Sequence, residues 1–187
     1  MKVESLQDLY AEQLRDLYDA ENQLIKALPK MAKAASTPEL RNAFEEHLDQ
    51  TRGHAQRIET IFEGMGEKAK GQKCKAMEGL VKEGSEVIEE DMPKGVKDAA
   101  LIAAAQRVEH YEIAGYGTVR AIAEVLGENE HVSLLEQTLE EEKQTDEKLT
   151  QLAEQINSQA GEGEEAETEA RETVGRQPSK SKSRRAA

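Results

Sequence analysis

Residues 14–28 read LRDLYDAENQLIKAL, and the spacing of their leucines predicts the fold class. The leucines stand at positions 14, 17, 24 and 28. Steps of three, four and seven place side chains on one face of an α-helix. Glu21 fills the gap between Leu17 and Leu24 on that same face. The stretch therefore predicts an amphipathic helix whose buried stripe contains one acidic residue.

The same pattern recurs 91 positions later, at 105–119, which reads AQRVEHYEIAGYGTV. Under this shift Glu112 falls on Glu21, and the apolar stripes of the following segments also coincide, because Leu48 falls on Leu139 and Ile58 on Leu149. The chain therefore contains two similar helical hairpins.

Four long amphipathic helices are predicted in these two hairpins. They span about 5–35, 36–66, 98–126 and 130–157. The connection between the hairpins, about 67–97, contains a short and weakly amphipathic helix. One long crossover is typical of ferritin-like topology. We therefore predict an all-α, ferritin-like antiparallel four-helix bundle over residues 1–158.

Beyond residue 158 the composition changes to Gly, Glu, Ala and Ser, and the chain ends in a cluster of Lys and Arg. Such a segment has too little apolar surface to offset the entropy lost on folding. We therefore predict that residues 159–187 form a disordered, charged tail.

Charge and composition limit the classes of partner and compartment. The formal net charge of -13 argues against nucleic-acid binding, because phosphate contacts need a basic surface. No run approaches the ~18 apolar residues of a membrane span, so no membrane association is expected. A single cysteine, Cys74, and an N-terminus without an apolar signal-peptide core indicate a cytoplasmic protein.

Polar residues interrupt the buried stripe of every long helix at a similar height. At 1.5 Å of rise per residue, they lie at similar distances from their hairpin turns. They are Glu21 in the first helix, His47, Thr51 and His54 in the second, Glu112 in the third, and Glu142 and Thr145 in the fourth. We expect one polar layer in the middle of the core.

Carboxylates in an apolar core are costly unless they are paired, protonated or bound to a cation. The stripes contain no Lys or Arg that could pair with them. Carboxylate oxygen and imidazole nitrogen are favoured ligands of iron, manganese and zinc. The layer therefore predicts a divalent metal site with Glu21, His54, Glu112 and Glu142 as its main ligands.

Three further residues are less specific candidates. His47 is interpreted first as a packed core histidine or as a partner of a ligand, and second as a ligand itself. Glu109 and Asp146 lie one turn from Glu112 and Glu142, and they fit either ligands or flanking charges. For any single Glu taken alone, a position at the wet edge of the stripe is the more usual explanation, and the coincidence across four helices is what favours a metal site.

Over about residues 3–158 the chain resembles the YciE/YciF family of bacterial ferritin-like proteins. The resemblance is carried by the strings LYAEQL (9–14), YDAE (18–21), FEEHL (44–48), GH (53–54), VEHYEIAGYGT (108–118) and LEEEK (139–143). It implies a bundle that is often a homodimer, a dinuclear metal site and a role in stress responses.

The chain departs from the general ferritin-like pattern of one Glu from each of two helices and Glu-x-x-His from the other two. Thr51 stands where the first motif has Glu, and Thr145 where the second has His. This departure puts ferroxidase or peroxide-type oxidoreductase activity in doubt. The sequence contains no nucleophile motif, no Gly-rich phosphate loop and no CxxC pair, so no organic cofactor is expected.

Two alternatives stay open at this point. The chain could be a metal-free structural or interaction bundle whose polar layer fixes the register of the helices. It could also be a helical adaptor that recruits partners through its tail.

Overall fold

Five helices make up the part of the chain that the structure, a computed structural model, describes: the backbone of residues 3–175 and the side chains of residues 3–161. They are α1 (Leu6–Ala34), α2 (Pro38–Gly64), α3 (Lys75–Glu89), α4 (Lys94–Leu126) and α5 (Asn129–Gly175). No strand occurs within these residues. The predicted all-α fold is confirmed.

Helix α1 begins at a capping box formed by Ser5 and Asp8. The Ser5 hydroxyl accepts a hydrogen bond from the Asp8 amide at 3.1 Å, and the Asp8 carboxylate accepts one from the Glu4 amide at 3.1 Å. Reciprocal bonds of this kind satisfy amides that have no partner inside the helix. The predicted start of the first helix therefore has a local cause.

The start of helix α2 is capped by a residue from another helix. Thr37 occupies the cap position but forms no side-chain capping bond. Instead, Asp98 of α4 is fully buried, and its two oxygens accept hydrogen bonds from the amides of Ser36 at 2.8 Å and Thr37 at 2.9 Å. The turn between α1 and α2 is thus joined directly to the second hairpin.

The four long helices bury two apolar clusters, one toward each end of the bundle. The first core lies toward the α1–α2 turn and includes Leu28, Phe44, Leu101 and Leu149. The second core lies toward the α4–α5 turn and includes Leu14, Ile58, Val119 and Leu135. Helix α3, which lies in the long crossover, contacts α1 and α4.

Helices α1 and α4 approach closely at Gly115. A Cβ atom at this position would lie 2.7 Å from Leu17 Cδ2, which is closer than real Cβ atoms come to other atoms. At Gly117, two residues later, a Cβ would have no neighbour within 4 Å. Close helix approach therefore explains Gly115 and does not explain Gly117.

Two boundaries differ from the sequence-based prediction. Helix α4 begins at Lys94, directly after Pro93, whereas the pattern predicted a start near 98. Helix α5 continues to Gly175, although disorder was predicted from residue 159. Glu and Ala, which are frequent in this segment, are strong helix formers and can extend a helix without a buried face.

Residues 176–187 of the predicted tail lie outside the described residues. The division into a bundle of residues 1–158 and a tail of 159–187 therefore stays a prediction. No helix in the described part of the chain is long and apolar enough to cross a membrane.

Asp98→Ala should destabilise the bundle by about 1–3 kcal/mol, because the partly buried amides of Ser36 and Thr37 then lose their acceptor. Urea unfolding followed by circular dichroism measures this change. Asp98→Asn keeps one carbonyl acceptor and should cost less. Unfolding midpoints that coincide for Asp98→Ala and the parent chain would rule out this role of Asp98.

Gly117→Ala should raise the free energy of unfolding by about 0.5–1 kcal/mol, because alanine loses less backbone entropy than glycine in a helix. Gly115→Ala makes the same chemical change but forces Leu17 to move, so its gain should be smaller or reversed. Thermal unfolding of both variants tests the comparison. Equal gains would contradict the close approach at Gly115.

Candidate metal centre

Six ionisable side chains form a buried layer between the two apolar cores. Each exposes at most 3% of its surface, and all four long helices contribute. The layer consists of Glu21 from α1, His47 and His54 from α2, Glu109 and Glu112 from α4, and Glu142 from α5. The structure thus brings together six of the seven residues that the sequence singled out.

The layer divides into two groups of candidate ligand atoms that share Glu142. One group contains Glu21, His54 and Glu142, and the other contains His47, Glu109, Glu112 and Glu142. Within each group the ligand atoms lie within 4.8 Å of one another. This arrangement suits two neighbouring ions with one carboxylate between them.

The two oxygens of Glu142 face different imidazoles. His54 Nδ1 lies 2.9 Å from Glu142 Oε1 and 3.5 Å from Glu21 Oε1. His47 Nε2 lies 3.9 Å from Glu142 Oε2 and 3.3 Å from Glu109 Oε1. Glu142 therefore lies between the two groups, with one oxygen toward each imidazole.

Asp146, the seventh candidate, does not join the layer. Its side chain is 22% exposed and lies 3.4 Å from His110 Nε2, and it accepts a hydrogen bond from Gln106 Nε2 at 3.2 Å. Its contacts with His110 and Gln106 of α4 hold this carboxylate at the flank of α5. Asp146 is placed as a flanking charge.

The sequence did not predict the hydrogen-bonded residues behind His54. Glu141 Oε2 lies 3.0 Å from His54 Nε2, and Arg57 donates two hydrogen bonds to the Glu141 carboxylate, at 2.7 and 2.9 Å. A proton on Nε2, donated to Glu141, leaves the lone pair of Nδ1 directed at Glu21 and Glu142. Glu141 follows Glu142 in the run EEE, so the sequence could not distinguish their directions.

Burial would raise the pKa of Glu141, but hydrogen bonds from Arg57 and Gln137 and the charge of Arg57 outweigh it and lower the pKa. Glu141 is therefore an ionised acceptor behind His54. Carboxylates commonly orient metal-binding histidines in this way.

The two threonines that break the ferritin-like pattern both contact His47 or its backbone. Thr145 Oγ1 lies 3.3 Å from His47 Nδ1 and donates to the Glu141 carbonyl at 3.0 Å. Thr51 Oγ1 donates to the His47 carbonyl at 2.8 Å. Thr145 therefore contacts His47, an imidazole that belongs to α2. In the general ferritin-like pattern, α5 itself would supply a histidine at the position of Thr145.

Tyr116 adds a further partner inside the layer. It is fully buried, and its hydroxyl donates to Glu21 Oε1. Burial and the charges of Glu21 and Glu112 raise the pKa of Tyr116 well above its ordinary value, so the hydroxyl keeps its proton. The bond fixes Glu21 Oε1, the same oxygen that lies 3.5 Å from His54 Nδ1.

Three carboxylates of the layer, those of Glu21, Glu112 and Glu142, resist ionisation. Burial raises the pKa of Glu112 well above its ordinary value, and the charges of Glu142 and Glu21 raise it further. Burial likewise raises the pKa of Glu21 and of Glu142, against the opposing effect of His54. The layer therefore concentrates negative charge where water cannot stabilise it.

The histidines respond in the opposite sense. Burial alone would lower the pKa of His54, but its contacts with Glu142 and Glu21 outweigh this and raise the pKa to about 10. For His47 burial again lowers the pKa, while the charge of Glu109 raises it to about 9. The carboxylates thus favour positive charge in the layer, and the raised pKa values of the two imidazoles show this effect for protons.

The donor atoms fit a metal because many of them have no hydrogen-bond partner among the described residues. Both oxygens of Glu112 and of Glu142 are buried without one. So are Glu21 Oε2, Glu109 Oε2, His47 Nε2 and His54 Nδ1. Buried polar atoms are seldom left unpaired, and these converge on two points with the oxygen and nitrogen chemistry of divalent-metal ligands.

Comparison with known proteins gives the family. The model of the family described as "Domain of unknown function (DUF892)" matches residues 5–161. The chain belongs to this family. Protein YciF of Escherichia coli (strain K12) is 51% identical over 154 residues, which are 82% of this chain and 93% of that protein. The resemblance to the YciE/YciF family is thereby confirmed.

One solved structure supports the same family, and a second supports the fold. The crystal structure of the E. coli stress protein YciF matches with a TM-score of 0.81 and 49% identity, over 83% of this chain and 99% of that chain. A structure of ferritin like, diiron-carboxylate proteins from Bacillus anthracis str. Ames matches with a TM-score of 0.60 over 81% of this chain and 99% of that chain. At 20% identity the second likeness shows the fold alone, and that fold is ferritin-like.

Glu141→Gln should weaken divalent-metal binding by about 10- to 100-fold, because it removes the carboxylate that orients His54. Competition of Co²⁺ or Mn²⁺ against a chromophoric chelator measures the affinity. Glu140→Gln, an exposed change of the same kind one residue away, serves as the control. Indistinguishable affinities for the two variants would remove Glu141 from the site.

Proposed function

We propose that this chain is a ferritin-like metal protein whose buried layer holds two divalent ions, iron or manganese, with zinc as a further candidate. The single observation that carries the proposal is the set of buried carboxylate and imidazole atoms without hydrogen-bond partners that converge in two groups sharing Glu142. No lysine or arginine in the range 3–161 is buried. A metal is therefore the simplest source of the missing positive charge.

The formal charges balance for two ions. Four carboxylates, those of Glu21, Glu109, Glu112 and Glu142, carry four negative charges when ionised, and two divalent ions carry four positive charges. Neutral His47 and His54 add ligands without adding charge. With a single ion, two of these charges would have to be compensated by protons, because an uncompensated charge in the core costs several kcal/mol.

The number of ligands also supports two ions. The sequence pattern by itself retains four strong ligands of the six in the full ferritin-like set, because Thr51 and Thr145 replace a Glu and a His. His47 and Glu109 restore the count from other positions, since both are buried against Glu142 or its neighbours. We infer that the chain keeps six ligand residues, but that His47 of α2 and Glu109 of α4 take the places of the two ligands missing at Thr51 and Thr145.

The residues of the chain would divide the work as follows. Glu21 and His54 hold one ion, His47, Glu109 and Glu112 hold the other, and Glu142 lies between them. Glu141 and Thr145 orient the two imidazoles, while Tyr116 orients Glu21. The apolar cores on either side exclude bulk water. Bound iron or manganese would supply redox or Lewis-acid chemistry of an oxidoreductase.

The similar proteins suggest a physiological role for this chain. The E. coli relative is described as a stress protein, and we propose a role in stress for this chain as well. We further propose a homodimer, as the family resemblance implies, and a cytoplasmic location, as the single cysteine indicates. Light scattering of the purified chain tests the dimer.

Protein purified without chelator should contain about two iron, manganese or zinc ions per chain, measured by inductively coupled plasma mass spectrometry. Glu142→Ala should lose both ions, because Glu142 belongs to both ligand groups. Asp146→Ala, four residues further along α5, removes a carboxylate outside the layer and should keep both.

A metal-free structural bundle predicts a different result. The parent chain would then bind less than 0.1 ion per chain even after incubation with excess Fe²⁺ or Mn²⁺, and Glu142→Ala would unfold at a lower temperature than the parent, because it breaks the buried pair with His54. Absence of metal uptake by the parent chain would reject the metal site and favour the structural alternative.

A further inference from the structure

A cavity of about 180 Å³ lies beside the polar layer, on the side of the first core. It is lined by residues of α1, α2, α4 and α5, so it lies inside the four-helix bundle. His47 and Glu109 form part of its wall, whereas Glu21 and His54 do not. The cavity therefore adjoins only one of the two ligand groups.

Apart from that polar end, the inner walls are apolar. They are formed mainly by Leu24, Leu28, Met31, Phe44, Val108 and Leu149. Polar partners for ordered water are scarce along these walls, and apolar cavities of comparable size stay dry and take up molecules such as benzene. The cavity thus has the chemistry of a site for a small apolar molecule.

An exposed ion pair lies among the residues that line the cavity. Lys148 of α5 donates to Glu46 of α2, and their side chains are 45% and 62% exposed. Exposed pairs of this kind contribute little to stability. Gln50 and Gln144 also line this side. An opening to solvent can therefore form by rotation of long surface side chains, without movement of a helix.

Charge and size narrow the class of ligand. The carboxylates around Glu109 repel anions, and the apolar walls would strip the hydration shell of any ion without replacing it. The volume excludes peptides and nucleotides. A cavity of about 150 Å³ accommodates benzene, so this one suits about six to eight non-hydrogen atoms.

We propose that this cavity binds a small, uncharged, apolar molecule and holds it against the His47–Glu109 side of the metal pair. The inference rests on the proposed metal function and gives its substrate class. A ligand in the cavity touches residues of only one ligand group, so it approaches one ion and leaves the other shielded by the protein.

Titration of the full-length chain with benzene and ethylbenzene tests the cavity. Isothermal titration calorimetry should give one site per chain in both the metal-free and the metal-loaded protein. Ala105→Leu places a larger side chain into the cavity wall and should weaken binding at least tenfold. Ala104→Leu, the neighbouring buried alanine of α4, faces the groove beside α3 and should change the affinity by less than twofold.

Ala43→Leu fills the same cavity from α2 and serves as a second variant if Ala105→Leu does not fold. In Co²⁺-loaded protein, ethylbenzene should also alter the visible absorption of the metal, because the ligand contacts the His47 side of the site. Ala104→Leu should preserve this spectral change, and the cavity-filling variants should abolish it.

The outcomes separate the two proposals. Metal uptake without binding of either hydrocarbon overturns the cavity inference and leaves the metal site intact. Hydrocarbon binding that persists unchanged in both cavity-filling variants also overturns it, because the molecule then binds elsewhere. Hydrocarbon binding by a chain that takes up no metal rejects the proposed metal function. It also rejects the inference that the bound molecule is a substrate of a metal site.

Discussion

The buried convergence of four carboxylates and two imidazoles is the constraint on which the rest of the structure depends. The layer separates two apolar cores that would otherwise be continuous. Such a layer is costly unless its charges are compensated, and no lysine or arginine among residues 3–161 is buried within it. Arg57 binds Glu141 at the edge of the layer. Compensation must therefore come from protons or from bound cations.

The surrounding residues are arranged so that the layer keeps one geometry. Glu141 and Thr145 each contact the imidazole nitrogen that points away from the layer, and Tyr116 binds one oxygen of Glu21. Gly115 brings α1 and α4 close together next to this bond. Rigid support of this kind is what a metal site requires, because ligand position determines affinity and coordination geometry.

The departures from the ferritin-like motif acquire a physical explanation in the fold. In the sequence, Thr51 and Thr145 look like lost ligands. In the structure both form hydrogen bonds with His47 or its backbone, and Glu109 approaches the same imidazole from α4. Periodicity shows which residues share a helix face, but it cannot show that a residue of one helix has taken the place of a residue of another.

The sequence by itself determined the helices, the duplicated hairpins, the long crossover and the polar layer, because all of these follow from local periodicity and from distances along a helix of constant rise. Only the tertiary structure decided which side chains meet: Glu109 rather than Asp146, Glu141 behind His54, and Asp98 at the start of α2 in place of a local cap. These contacts depend on how neighbouring helices are rotated and how closely they approach each other. The periodicity of a single helix contains no information about either quantity.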